Sequence, residues 1–266
     1  MKKNTYAIKS QEQKDFYNQT AQQYNQWHVQ KASAQIVDAW NFDNLKKFLR
    51  NNHKITRCLD LGCGTGRLSN KLLKIADEVY GIDQSIEVLK IAQKKYPHLK
   101  LTCGEVVNLT YQDNFFDLVI INGSLHHFFA VEKTLTEAQR VLKKGGYFVL
   151  LGEPNANYLK FFNPFFYLWI INRLIFKFFN LFKEKKEIDS RLIEPAAEKY
   201  NPSQLKKQII NSGFGIKKFY TYDYFHRSEN RLLLKFYHSY LNFEHKFIAP
   251  IFKNMGSAIQ CFAIKR

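Results

Sequence analysis

Seven residues, Asp60-Leu61-Gly62-Cys63-Gly64-Thr65-Gly66, carry the densest chemical signal in the chain. Each glycine omits a Cβ where backbone and ligand must approach closely. A helix opening just after such a turn points free N–H groups at whatever binds there. The spacing is acidic-x-Gly-x-Gly-x-Gly, not the Gly-x-Gly-x-x-Gly of dinucleotide sites. Asp83 lies seventeen positions beyond Gly66, near the separation at which a carboxylate ending a second strand accepts from both ribose hydroxyls. A third group is the pair His126-His127, within Asn122-Gly123-Ser124-Leu125-His126-His127-Phe128. Imidazole titrates near neutral pH, so this pair suits a general base or a group that orients an acceptor. The alternative is that the two histidines brace their loop or face a cofactor.

These residues need particular elements beneath them. Ile55 to Leu61 reads as a strand running into the glycine turn, and Leu68, Leu72, Leu73 and Ile75 recur at helical spacing after it. Glu78-Val79-Tyr80-Gly81-Ile82 is a second strand that delivers Asp83, and Ser85 caps the next helix with Glu87 in its first turn. Leu99 to Cys103 alternates as a third strand. Phe116 to Asn122 is almost continuously apolar, as a central parallel strand buried on both faces must be. Its carboxyl end, where open α/β sheets place their chemistry, carries the two histidines. A helix over Ala130 to Leu142 stops at Lys143-Lys144-Gly145-Gly146, and Tyr147 to Leu151 is a fifth strand.

Asp60-x-Gly62-x-Gly64-x-Gly66 resembles the S-adenosylmethionine (SAM) loop of class I methyltransferases, in particular the type 11 small-molecule enzymes of ubiquinone and menaquinone biosynthesis. Three more stretches support the resemblance. Phe16-Tyr17-Asn18-Gln19-Thr20-Ala21-Gln22-Gln23-Tyr24 is similar to the family's lid helix, which makes Tyr17 and Tyr24 candidate lid residues. Gly104-Glu105-Val106-Val107-Asn108-Leu109 is similar to its "Gly-Asp-Ala-x-x-Leu" segment, with Glu105 replacing the usual Asp. Leu142-Lys143-Lys144-Gly145-Gly146 is similar to its strand entry. The resemblance implies SAM as cofactor, with Asp60, Gly62, Cys63, Gly64 and Gly66 around it and Asp83 and Gln84 at the adenosine. Glu105 and the Val106 N–H would meet the adenine, and Asn122 completes the set. His126 and His127 are the candidate catalytic residues, and no metal is expected.

The implied fold is α/β, a Rossmann-like seven-stranded sheet of order 3-2-1-4-5-7-6 with the last strand antiparallel, plus an α-helical, aromatic-rich cap. Residues 1–50 would supply lid helices, 51–155 the SAM-binding core, 156–200 a cap insertion, and 201–266 the end of the sheet with a second cap helix from Leu232 to Phe252. Between Tyr158 and Phe182 stand eleven aromatic residues, interrupted by Pro164, Asn172, Arg173 and Lys177, too broken to span a bilayer. That insertion reads either as a lid over an apolar pocket or as a helix lying in a membrane interface.

The chain's 266 residues are enough for one large α/β domain, and 45% hydrophobic content places it among folded proteins. The net charge of +17 raises nucleic acid or an anionic membrane as partners, although the lysines are spread evenly. Cys58, Cys63, Cys103 and Cys261 form no metal spacing and read as reduced, buried thiols of a cytoplasmic protein. No signal peptide is recognised at Met1-Lys2-Lys3. The expected activity is in-line methyl transfer from SAM to a small apolar or aromatic metabolite: a natural product, quinone or lipid-like compound. The alternatives are a tRNA methyltransferase and a SAM-fold protein that uses its cofactor structurally or for another reaction.

Overall fold

A computed structural model describes residues 2–24, 31–49, 54–158, 198–224 and 231–266. Two helices, α1 (Lys2–Tyr24) and α2 (Ala32–Leu49), precede β1 (Ile55–Leu61). Then follow α3 (Arg67–Leu72), β2 (Ala76–Asp83), α4 (Ile86–Lys95), β3 (Lys100–Cys103) and β4 (Phe116–Asn122). A 3₁₀ turn (Leu125–His127), α5 (Val131–Val141) and β5 (Leu142–Pro154) complete the first half. The remainder is α6 (Pro202–Asn211), β6 (Phe214–Tyr222), α7 (Arg231–Phe243) with a π-helical turn (Glu244–Ile248), and β7 (Ala258–Lys265).

The seven strands form one sheet of order β3-β2-β1-β4-β5-β7-β6. β1 to β5 are parallel neighbours, and β7 runs antiparallel to both β5 and β6. Order and directions match the expectation. The reason is visible in β4, where Leu118, Val119, Ile120 and Ile121 are all buried. Alternate side chains enter opposite cores. Val119 and Ile121 join Leu59, Leu61 and Phe148 on one face, while Leu118 and Ile120 join Cys58, Val149 and Phe262 on the other. With both faces covered, the ligand site is confined to the sheet's edge, where Leu61, Asp83 and Asn122 end neighbouring strands.

Several expectations need correction. α1 begins at Lys2, well before the Phe16-to-Tyr24 stretch that resembles the lid helix, and its polar sequence gives no apolar stripe to announce that extra length. α5 ends at Val141, and Leu142 is already extended. Lys143 to Gly146 therefore belong to β5 and do not form a separate helix stop. Cys58, Cys63 and Cys261 are buried free thiols, but Cys103 is exposed, because β3 is an edge strand with no neighbour beyond it. The expected second cap helix, α7, packs beside α2, where Trp40 Nε1 donates to Asn242 Oδ1 at 3.0 Å and Val37, Tyr237 and Leu241 share a core. The aromatic insertion lies outside the described residues. No helix among the described residues is long and apolar enough to cross a membrane.

Candidate active site

The glycine turn is held by backbone bonds from β2. Gly62 and Cys63 both donate to the Ile82 carbonyl, at 2.8 and 3.1 Å, and Gly66 donates to Cys63 O at 3.0 Å. Gly62 has φ +70°, and a Cβ there would stand 2.7 Å from Ser124 Cβ and 2.9 Å from Phe128 Cζ. Gly64 has φ +53°, and a Cβ there would meet nothing within 4 Å, because that side faces the open cleft. Asp83 Oδ2 accepts the Gly64 N–H and Oδ1 accepts the Ser85 N–H, each at 2.9 Å. Burial raises the Asp83 pKa, and those N–H groups oppose the rise. Each oxygen keeps a second lone pair for a ligand. Beneath the turn, Asp60 is 1% exposed and accepts from the Ser69 hydroxyl at 2.6 Å. Burial pushes its pKa up to about 7, against that hydrogen bond.

α1 lies along this edge and touches residues that follow β3, β2 and β4. The Tyr6 hydroxyl donates to Glu105 Oε2 at 3.5 Å, and Ser10 Oγ to Gln84 Oε1 at 3.4 Å. Asn18 Oδ1 accepts from Ser85 Oγ at 2.8 Å, tying α1 to the start of α4. Further along, the Gln13 carboxamide meets His127 Nδ1, and the Tyr17 hydroxyl lies 3.2 Å from His127 Nε2. The Tyr17 ring stands edge-on to both Tyr24 and His127, with centroids 5.3 and 5.7 Å away.

The two histidines have different surroundings. Both ring nitrogens of His127 are engaged by α1, and burial, then the neighbouring His126, lowers its pKa to about 3. It is therefore a neutral imidazole at physiological pH. His126 instead places Nδ1 2.9 Å from Glu153 Oε2. Glu153, 0% exposed at the end of β5, also accepts the backbone N–H groups of Ser124, Leu125 and His126 at 3.0, 3.0 and 3.1 Å. One carboxylate thus fixes the whole turn after β4 and the orientation of one imidazole. The rings of His126 and His127 stand 3.9 Å apart.

A single cleft brings together Tyr17, Tyr24, Asp60, Gly62, Cys63, Gly64, Asp83, Gln84, Glu105, Val106, Asn122 and His127. Gly66 is not among its walls. It is the N-cap of α3 and packs toward Ala92, Tyr96 and Leu99. His126 does not line the cleft either. Residues that the sequence motifs did not point to include Ser10, Gln13, Asn18 and Glu153. Gln13 stands one helical turn before Tyr17, the spacing at which two side chains act together. Glu153 had one available signal, a carboxylate closing an otherwise apolar strand.

Such a cleft presents a carboxylate near exposed glycine backbone, a buried second carboxylate, aromatic faces and a neutral imidazole. That set suits a nucleoside carrying a positively charged tail. A methyltransferase domain family matches residues 59–150, the stretch from β1 to β5. The demethylmenaquinone methyltransferase of Anoxybacillus flavithermus is 32% identical over 185 residues, covering 66% of this chain and 76% of that protein. That of Lactiplantibacillus plantarum is 32% identical over 167 residues, covering 59% and 69%. Among solved structures, a SAM-dependent methyltransferase from Thermotoga maritima aligns with a TM-score of 0.60 at 20% identity, covering 95% of this chain and 99% of that one. One from Mesorhizobium loti aligns with a TM-score of 0.56 at 17% identity, covering 85% and 98%. The chain belongs to the class I SAM-dependent methyltransferases.

Proposed function

We propose that this enzyme methylates a small, apolar, aromatic acceptor of the quinol type, with SAM held in the cleft beneath α1. The observation that carries the cofactor placement is convergence: every residue expected to contact SAM, Gly66 excepted, lines that one cleft. The residues fit the group chemically. Asp83 has lone pairs for ribose hydroxyls, Glu105 and the Val106 backbone stand at the adenine end, and Tyr17 and Tyr24 offer ring faces to a cation. Bound SAM supplies an electrophilic methyl on its sulfonium. The chain's own task is alignment of acceptor and donor, worth roughly 7–11 kcal/mol in well-oriented systems.

Of the two histidines, only His127 lines the cleft, and His126 stands behind it. His126 Nδ1 is held by the Glu153 carboxylate, which orients the ring. His127, neutral and engaged at both nitrogens, positions Tyr17 against the cofactor. The quinol class rests on the demethylmenaquinone methyltransferases among the relatives and on the chain's aromatic content of 16%.

Calorimetry with SAM tests the placement. Asp83→Asn keeps an oxygen for a loop N–H but loses charge, and affinity should fall at least about ten-fold, or about 1.4 kcal/mol. Unchanged affinity would remove Asp83 from the site. Methyl transfer from labelled SAM to a short-chain demethylmenaquinone analogue, chemically reduced to its quinol before the assay, tests the acceptor. No transfer by an enzyme that still binds SAM would reject the quinol class alone.

A further inference from the structure

The stretch from α7 through Asn254 turns an unusual face to solvent. Phe236, Phe243, Phe247 and Ile251 are 70, 52, 50 and 72% exposed, and their spacing of seven, four and four residues puts them on one stripe. The Phe243 and Phe247 ring centroids lie 5.1 Å apart. On the opposite side, Tyr237, Leu241 and Glu244 are buried. Glu244 is the only acidic residue between Arg231 and Asn254, and it is 0% exposed. Lys235, Lys246 and Lys253 are exposed along the same stretch, which itself exposes no carboxylate. The Lys246 ammonium sits 5.2 Å from the Phe247 ring centroid.

A second observation lies on the same stretch. His245, Ala249, Pro250, Lys253 and Asn254 wall a cavity of about 400 Å³ against α6 and β6, with Lys206 opposite. The cavity has two ammonium groups and no carboxylate in its walls. His245 Nδ1 is buried with no hydrogen-bond partner. Burial first, then Lys218 and Lys47, holds the His245 pKa below its ordinary value, so the local positive field is not neutralised. A cation-lined cavity of this kind is completed by an anion.

Exposed phenyl rings flanked by lysines fit the boundary between headgroups and acyl chains. Single-stranded nucleic acid stacks its bases on exposed rings, but the aliphatic Ile251, the most exposed of the four, offers no such face. A protein partner would meet lysines and, from this stretch, no exposed carboxylate. We propose that this face docks on an anionic phospholipid surface, with the stripe entering the headgroup boundary and a phosphate headgroup occupying the cavity of Lys206, His245 and Lys253. Such docking would bring the cleft to a lipid-dissolved acceptor, but it does not depend on the quinol reading, because it is read by binding.

Co-sedimentation of the full chain with vesicles is the test. Binding is expected to phosphatidylcholine vesicles containing phosphatidylglycerol, not to phosphatidylcholine alone, and to weaken at high salt. Phe243→Ser with Phe247→Ser should weaken it about ten-fold or more, as should Lys206→Ala with Lys253→Glu. Circular dichroism melts and SAM affinity should stay as in wild type. Equal binding by wild type and both variants would overturn the proposal. So would saturable binding of free glycerol phosphate without vesicle binding, or a dimer abolished by the phenylalanine variant, which would make a second copy the occupant.

Discussion

At the scale of single residues, His127 links the site to stability. Its pKa near 3 in the folded chain lies below the unfolded value of 6.5. Between those values the unfolded chain binds a proton that the folded chain refuses, so stability falls as pH drops from 6.5 towards 3. The loss at low pH amounts to a few kcal/mol, and above 6.5 it vanishes. Urea unfolding of wild type should therefore weaken more steeply between neutral pH and about pH 4.5 than that of His127→Asn. Parallel slopes would mean that His127 titrates normally. His245, whose pKa is also lowered, is present in both proteins and cancels. The glycine turn offers a second residue-scale test. Gly62→Ala drives a Cβ into Ser124 and Phe128 at positive φ and should cost about 2–3 kcal/mol of stability. Gly64→Ala meets only the open cleft, so its stability cost should be about 1 kcal/mol, while SAM affinity drops more. Calorimetry alongside unfolding separates the two. Asp83 and the turn were legible because a ligand demands particular residue types at fixed spacing. Glu153 was hardly legible, since three of its four partners are backbone N–H groups that any sequence supplies, and the fourth, His126, is distant in sequence.

At the scale of elements, the parallel half of the sheet was legible because strands buried on both faces must be almost wholly apolar, as β4 is. α1 was half legible. Its aromatic end stood out, but Lys2 to Lys14 carries no stripe, because polar side chains hold it along the cleft at Glu105, Gln84 and His127. An element fixed by hydrogen bonds leaves no periodic trace. The same fact predicts its behaviour. Each hydrogen bond adds only about 0.5–1.5 kcal/mol, so α1 should open locally at far lower cost than the sheet. Amides of α1 should exchange with deuterium much faster than those of β4, and bound SAM should slow α1 selectively. Tyr17→Phe, which removes the hydroxyl facing His127 Nε2, should speed α1 exchange and SAM dissociation together while leaving β4 unchanged. Equal protection of α1 and β4 without ligand would show that the helix is no lid.

At the scale of the whole molecule, the cleft joins parts of the chain far apart in sequence: α1, the turn after β1, Asp83 at the end of β2, Glu105 after β3 and His127 after β4. Those strands belong to one continuous sheet whose last pairings, β5 with β7 and β7 with β6, bring in the chain's end. A ligand in the cleft therefore stabilises a single cooperative unit, and its binding energy appears in global unfolding. At a hundred times Kd the gain is about 2.7 kcal/mol. With roughly 2–4 °C per kcal/mol for a chain of this size, SAM should raise Tm by about 5–10 °C in one transition. Asp83→Asn should need a correspondingly higher SAM concentration for the same shift. Adenosine, which lacks the sulfonium tail, should shift Tm less than SAM at equal concentration. A split transition, with only part of the signal moving, would mean that the elements around the cleft do not unfold with the sheet. No shift at saturating SAM would mean that the cleft is not where the methyl donor binds.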